Sequence, residues 1–144
     1  MSPDRARPFW HLAERTHWEA ALRTGSYDRS TRGATLAEVG FVHCSYPEQL
    51  PGVVRAHYAR ATEELVVLEL DPQRLLDAGL VVREEPGDPG DPGSALFPHV
   101  YGALPVSAVV RTRPAVVDRG WLDLGPWDDL DATGLGSGGP ALVD

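Results

Sequence analysis

Apolar positions along the chain fall into short runs divided by polar, glycine-rich and proline-rich stretches. "FWHLA" (9–13) reads as a first strand ending in polar "ERT". Thr16-His17-Trp18-Glu19 then has the form of a capping box. It predicts a helix over about 17–24, with Trp18, Ala21 and Leu22 on one face and Gly25 as its C-terminal stop. "GSYDRSTRGATLAEVG" predicts a loop around a short helix near Leu36. "FVHC" (41–44) is a second strand, and Ser45-Tyr46-Pro47-Glu48 predicts a helix start with Ser45 as N-cap. That helix should run to about Ala61, loosened by Pro51-Gly52.

"ELVVLEL" (64–70) is the clearest strand, and its unbroken apolar run predicts a central position buried on both faces. Asp71-Pro72 caps a short turn or helix through Leu76. "LVVRE" (80–84), "LFPHVYG" (96–102) and "SAVVRTR" (107–113) follow, the last read as the final strand. Between the first two of these, "EPGDPGDPGSA" (85–95) predicts an exposed loop. From about Pro126 the composition predicts disorder or loose docking. The order of elements predicts a single α+β domain, with a short curved mixed or antiparallel sheet and a few helices. It comprises a ligand-binding or catalytic unit over 8–114 and an extension over 115–144.

Composition narrows the function classes. The 144 residues suit one domain, and 42% hydrophobic content suffices for a core. A net charge of −8 argues against a long nucleic acid, whose binding depends on cationic side chains. The basic residues are all arginine, which reads as compositional bias. One cysteine excludes an internal disulfide and a multi-cysteine zinc site, and fits a reducing, cytoplasmic setting. No apolar run reaches membrane-spanning length, so no membrane partner is expected.

Three histidines occupy similar surroundings: His11 in "FWHLA", His43 in "FVHCS" and His99 in "FPHVYG". Each sits among apolar or aromatic residues, where an imidazole needs partners for its nitrogens. One reading is three satisfied core histidines. A second is a His₃ metal site, although spacings of 32 and 56 residues match no metal motif. A third pairs a histidine with Cys44 as nucleophile, against which strand alternation turns Cys44 and His43 to opposite faces. A fourth is a nucleotide cradle, with the helix start at Ser45 facing an anion and Gln49 one turn on. Tyr101 shares strand parity with His99, so the two could hold a flat heterocycle between them. A carboxylate at Glu84 or Glu85 could orient a ribose hydroxyl or a water. His17 and His57 read as surface or packing residues.

"FWHLAERTHWEAALRTGSY", "GFVHCSYPEQL", "LVVLELDPQRL" and "LFPHVYGALPVSAVV" together resemble the bacterial family called domain of unknown function 952, over roughly 8–114. That family in turn resembles the ADP-ribosyltransferase superfamily, with tRNA 2′-phosphotransferases as the nearest analogy. The resemblance implies an ADP-ribosyltransferase-like fold, a small nucleotide-like ligand and NAD as a substrate, with no metal. It implies His11 on the ribose and nicotinamide side, His43 with Ser45 in a second motif, and His99 or Tyr101 in a third. Where many transferases place a catalytic glutamate this chain has "FPHVYG", which argues against standard protein ADP-ribosylation. Catalytic roles are thus expected for His43, His11 and His99, and ligand contacts for His11, Ser45, Gln49, Tyr101 and Glu84. A non-catalytic nucleotide-binding module and a His₃ metalloenzyme stay open as alternatives, and so does the oligomeric state.

Overall fold

The β4 strand (Leu65–Leu70) organises the molecule. In the computed structural model, which describes residues 7–88 and 90–130, it lies between β1 (Phe9–Glu14) and β8 (Val109–Asp118), antiparallel to both. Both of its faces are covered. Val66, Leu68 and Leu70 pack with Phe9, Trp18 and Val100, while Leu65 and Val67 pack with Leu12, Val54 and Tyr58. A strand buried on both faces has no polar side to display, which is why its sequence does not alternate. Leu68 is fully buried. Leu68→Ala is expected to cost about 2–5 kcal/mol, through lost transfer energy and a residual cavity. Urea unfolding followed by circular dichroism measures it, and a loss under 1 kcal/mol would show that the site collapses around the smaller side chain.

The β1 strand leads into α1 (Arg15–Thr24), which buries Trp18 and Ala21 and stops at Gly25 in the left-handed region, φ 89°. Glu14, not Thr16, is its N-cap, because the chain turns helical directly from the strand end. After the helix, β2 (Ser26–Tyr27) pairs with β7 (Leu104–Pro105). The predicted helix near Leu36 is α2 (Leu36–Val39), with a capping box between Thr35 and Glu38.

A second sheet has the order β3 (Val42–His43), β6 (Leu96–Tyr101), β5 (Val81–Pro86). Here too the pairing is antiparallel, so none of the described strand pairs is parallel and the mixed alternative is not adopted. Ser45 joins the two sheets. Its N–H donates to Trp10 O at 2.8 Å and its carbonyl accepts from Trp10 N–H at 2.7 Å. It is therefore an extended bridging residue and not an N-cap. The predicted 46–61 helix instead begins as a 3₁₀ turn at Pro47–Gln49, becomes α3 (Leu50–Val53) and widens to a π-helical turn over Val54–Tyr58. Proline at 51 and glycine at 52 weaken the regular ladder there.

The α4 helix (Pro72–Asp77) is capped by Asp71, whose carboxylate accepts from Gln73 N–H at 3.0 Å. The chain does not end its sheet at 113. β8 runs on to Asp118 and turns into β9 (Trp121–Leu124), and β10 (Asp128–Asp129) pairs along β8 at Arg111–Thr112. Trp127 supplies the reason that 126–130 is ordered. Its ring receives the guanidinium groups of Arg111 at 4.0 Å and Arg113 at 4.9 Å, and meets Trp10 edge-on. The expected disorder beyond residue 130 lies outside the described residues. Among those described, no helix is long and apolar enough to cross a membrane.

Candidate functional site

The second sheet has one face turned to the core and one to a cavity. Val42 and Val100 supply the core face. Alternation therefore places His43, Phe97, His99 and Tyr101 on the other, with Glu85 beside them on β5. Register sets His43 directly opposite His99, and Glu85 opposite Phe97. Phe41, His43, Glu85, His99 and Tyr101, with the loop residues Pro86, Gly87 and Pro92, line a cavity of about 420 Å³. Two other clefts, near 360 and 400 Å³, contain no histidine and no comparable group of polar side chains.

Within the cavity the polar groups form a continuous chain. The Tyr101 hydroxyl donates to Glu85 Oε1 at 2.5 Å. The same oxygen lies 2.9 Å from His99 Nδ1, and His99 Nε2 lies 3.2 Å from His43 Nδ1. The Tyr101 hydroxyl and then His99 hold the Glu85 carboxyl below its ordinary range, so it is ionised and accepts both bonds. The phenol is correspondingly raised by its bond to Glu85. An ionised Glu85 makes His99 Nδ1 the protonated nitrogen. His99 Nε2 then accepts from His43 Nδ1–H, which leaves His43 Nε2 as an unprotonated base.

Burial, then the neighbouring His99, His11 and His57, lowers the His43 pKa to about 3. Taken alone, His43 would hold a proton poorly. Its Nδ1 is tied through His99 to the Glu85 carboxylate, and that chain fixes which ring nitrogen of His43 faces the cavity. A carboxylate-oriented histidine acting as base is the logic of a hydrolytic triad, here extended by one more imidazole.

The other histidines divide sharply. His11 does not line the cavity. It is 2% exposed, and both of its nitrogens are taken. Nδ1 donates to the His43 carbonyl at 2.7 Å and Nε2 accepts from Tyr27 OH at 2.8 Å. Burial lowers its pKa to about 4, and it is a neutral core histidine under the His43 strand. With those nitrogens occupied, a His₃ cluster does not form, and no group of three or more metal-ligating side chains occurs among the described residues. His57, read from sequence as a surface or packing residue, is exposed and stands with its ring 6.2 Å from that of His43. The π-helical turn puts it there, and no spacing rule could have found it.

Several expected ligand contacts are replaced by structural ones. Gln49 accepts from Tyr46 N–H at 2.9 Å and donates to Leu96 O at 2.8 Å, so both ends of its amide fasten the 3₁₀ turn to β6. Ser45 is 3% exposed in the bridge to Trp10. Glu84 points away from the cavity and accepts from Tyr46 OH at 2.5 Å. Its neighbour Glu85 is the carboxylate of the site, since adjacent strand residues face opposite ways. The heterocycle sandwich expected between His99 and Tyr101 is pre-empted by Phe41, stacked on His99 at 4.0 Å and 15°. His99 therefore works through its nitrogens, and Phe41 and Tyr101 supply the aromatic surface. Cys44 is buried and bonded weakly to Val42 O at 3.7 Å, and burial raises its thiol pKa. That combination makes an inert thiol.

Comparison with known families finds one match. The family described as protein of unknown function (DUF952) matches residues 12–112, which include His43, Glu85, His99 and Tyr101. No curated protein and no solved structure matches the chain.

Proposed function

The chain belongs to the family of unknown function DUF952, and from its cavity we propose an enzyme that acts on NAD or an ADP-ribose-like nucleotide. The Glu85–His99–His43 chain carries this reading, because it places an ionised carboxylate and a base in one aromatic-walled pocket. Cleavage at the ribose carbon that bears the leaving group develops positive charge in the ring, which a nearby carboxylate stabilises. Glu85 fills the place that "FPHVYG" leaves without an acid. Its Oε1 is engaged by Tyr101 and His99, and in this reading Oε2 takes the ribose hydroxyls or the developing cation. His43 Nε2 removes the proton from the attacking water or hydroxyl, and His99 receives the charge. Phe41 and Tyr101 pack against the leaving heterocycle.

Thermal denaturation of the full chain with millimolar NAD, ADP-ribose or nicotinamide is the direct test. A ligand at about 100 times its Kd stabilises by about 2.7 kcal/mol, which raises Tm by several degrees. A rise is expected with NAD or ADP-ribose, and Glu85→Gln should abolish most of it while Glu84→Gln leaves it intact. Chromatography of the same mixtures should show released nicotinamide or ADP-ribose. Binding without product on long incubation would reassign the pocket to a binding module. A flat Tm with every nucleotide would remove the nucleotide reading altogether.

A further inference from the structure

The face of β5 that carries Glu85 also carries Arg83. Strand alternation puts the two on one side and Glu84, bonded to Tyr46, on the other. Register sets Arg83 opposite His99. Its guanidinium lies 5.7 Å from the centroid of the Tyr101 ring, and that ring lines the cavity. Arg83 is exposed, and among the described residues it forms no ion pair with a carboxylate. Arg32 and Arg111, in contrast, are each committed to a glutamate. An arginine beside a cavity-lining ring, with no carboxylate paired to its guanidinium fork, is suited to an incoming phosphate.

The spacing adds a ligand class. Two residues along a strand separate Arg83 from Glu85 by about 6.6 Å. That is comparable to the span from the ring hydroxyls of a ribose to its 5′-phosphate. The chain carries a net charge of −8, and Glu85 adds a negative charge inside the pocket. A phosphate therefore needs a local cation to approach at all. We propose that Arg83 binds the 5′-phosphate of the ligand while Glu85 holds its ribose, so that the pocket selects nucleotides over nucleosides. This rests on the nucleotide reading of the same pocket.

Nicotinamide mononucleotide and nicotinamide riboside differ by that phosphate alone, and isothermal titration of the full chain compares them. The mononucleotide is expected to bind at least about tenfold more tightly, in line with a charge-assisted, bidentate contact. In Arg83→Gln the advantage should vanish while the affinity for the riboside is unchanged. Equal affinities in the native chain, or an advantage that survives Arg83→Gln, would overturn the assignment while leaving a ribose pocket. Failure of both compounds to bind the native chain would instead overturn the nucleotide reading and the assignment with it.

Discussion

His43→Ala is expected to reduce turnover of the nucleotide substrate by about 10²–10⁴-fold, the range for loss of a general base. His43 is half-buried on the cavity side of a strand whose core side is Val42, so the substitution leaves the hydrophobic core untouched. Circular dichroism and Tm should therefore stay close to the native values. The relay makes a sharper forecast for the pair. His43 Nδ1 and His99 Nε2 stand 3.2 Å apart in one hydrogen bond, so under the proposed relay their losses should not add. The double variant His43→Ala/His99→Ala should be little worse than His43→Ala alone. Multiplicative losses would show that the two act separately, and native-like turnover by His43→Ala would remove the base from the mechanism.

The second large effect is acid destabilisation set by His11. Its pKa falls from 6.5 in the unfolded chain to about 4 in the fold, because burial disfavours the charged ring. Between those values the unfolded state binds a proton that the native state does not. Stability therefore rises with pH across that window, is fully present above pH 6.5 and is lost as pH falls towards 4. The loss is about 1.4 kcal/mol per pH unit, or about 3 kcal/mol over the whole window. From about pH 6.5 to about 5, where most carboxylates still stay ionised, about 2 kcal/mol should disappear. His43, lowered for related reasons, adds in the same direction. Urea unfolding at about pH 7.5 and 5 measures the sum. His11→Asn keeps a donor for the His43 carbonyl but cannot titrate. It should be less stable than the native chain at the higher pH and should show a visibly flatter pH dependence. An unchanged slope would mean that His11 is protonated in the fold.

These two results would also separate roles that the sequence assigns alike. His11, His43 and His99 sit in similar apolar settings, and the family resemblance implies a catalytic role for all three. Only two face the cavity. The third supports the carbonyl of His43 from beneath, with Tyr27 closing its other side. Local composition is equally apolar around a buried support and a pocket base, because both are desolvated. What separates them is the partner of each ring nitrogen, and those partners are 14 to 56 residues away in the chain.

The elements themselves were largely legible. β1, β4, the α1 stop at Gly25 and the Asp71 cap depend on apolar runs, a left-handed glycine and a short side-chain hydrogen bond, all of which act within a few residues. Strand parity likewise placed Cys44 and His43 on opposite faces, and Tyr101 with His99, before any pairing was known. Where several local devices competed, the tertiary contact prevailed. Ser45 has the side chain of an N-cap, yet two backbone bonds to Trp10 outweigh that preference and hold it extended. Residues 126–130 have the composition of a tail, yet two guanidinium groups on the Trp127 ring and pairing along β8 bring them onto the sheet.

By itself, the sequence determined a small α+β chain with a doubly buried β4 and three histidines in apolar surroundings, because burial pattern and turn chemistry are written residue by residue. Only the tertiary structure decided that Glu85 and not Glu84 is the acid of the site, that His57 stands near His43, and that Gln49 is a strut. The first depends on register between β5 and β6, the second on a widened helical turn, and the third on the packing of the 3₁₀ turn against β6. A shift of one residue in that register would exchange the two glutamates, and nothing local to either one sets it.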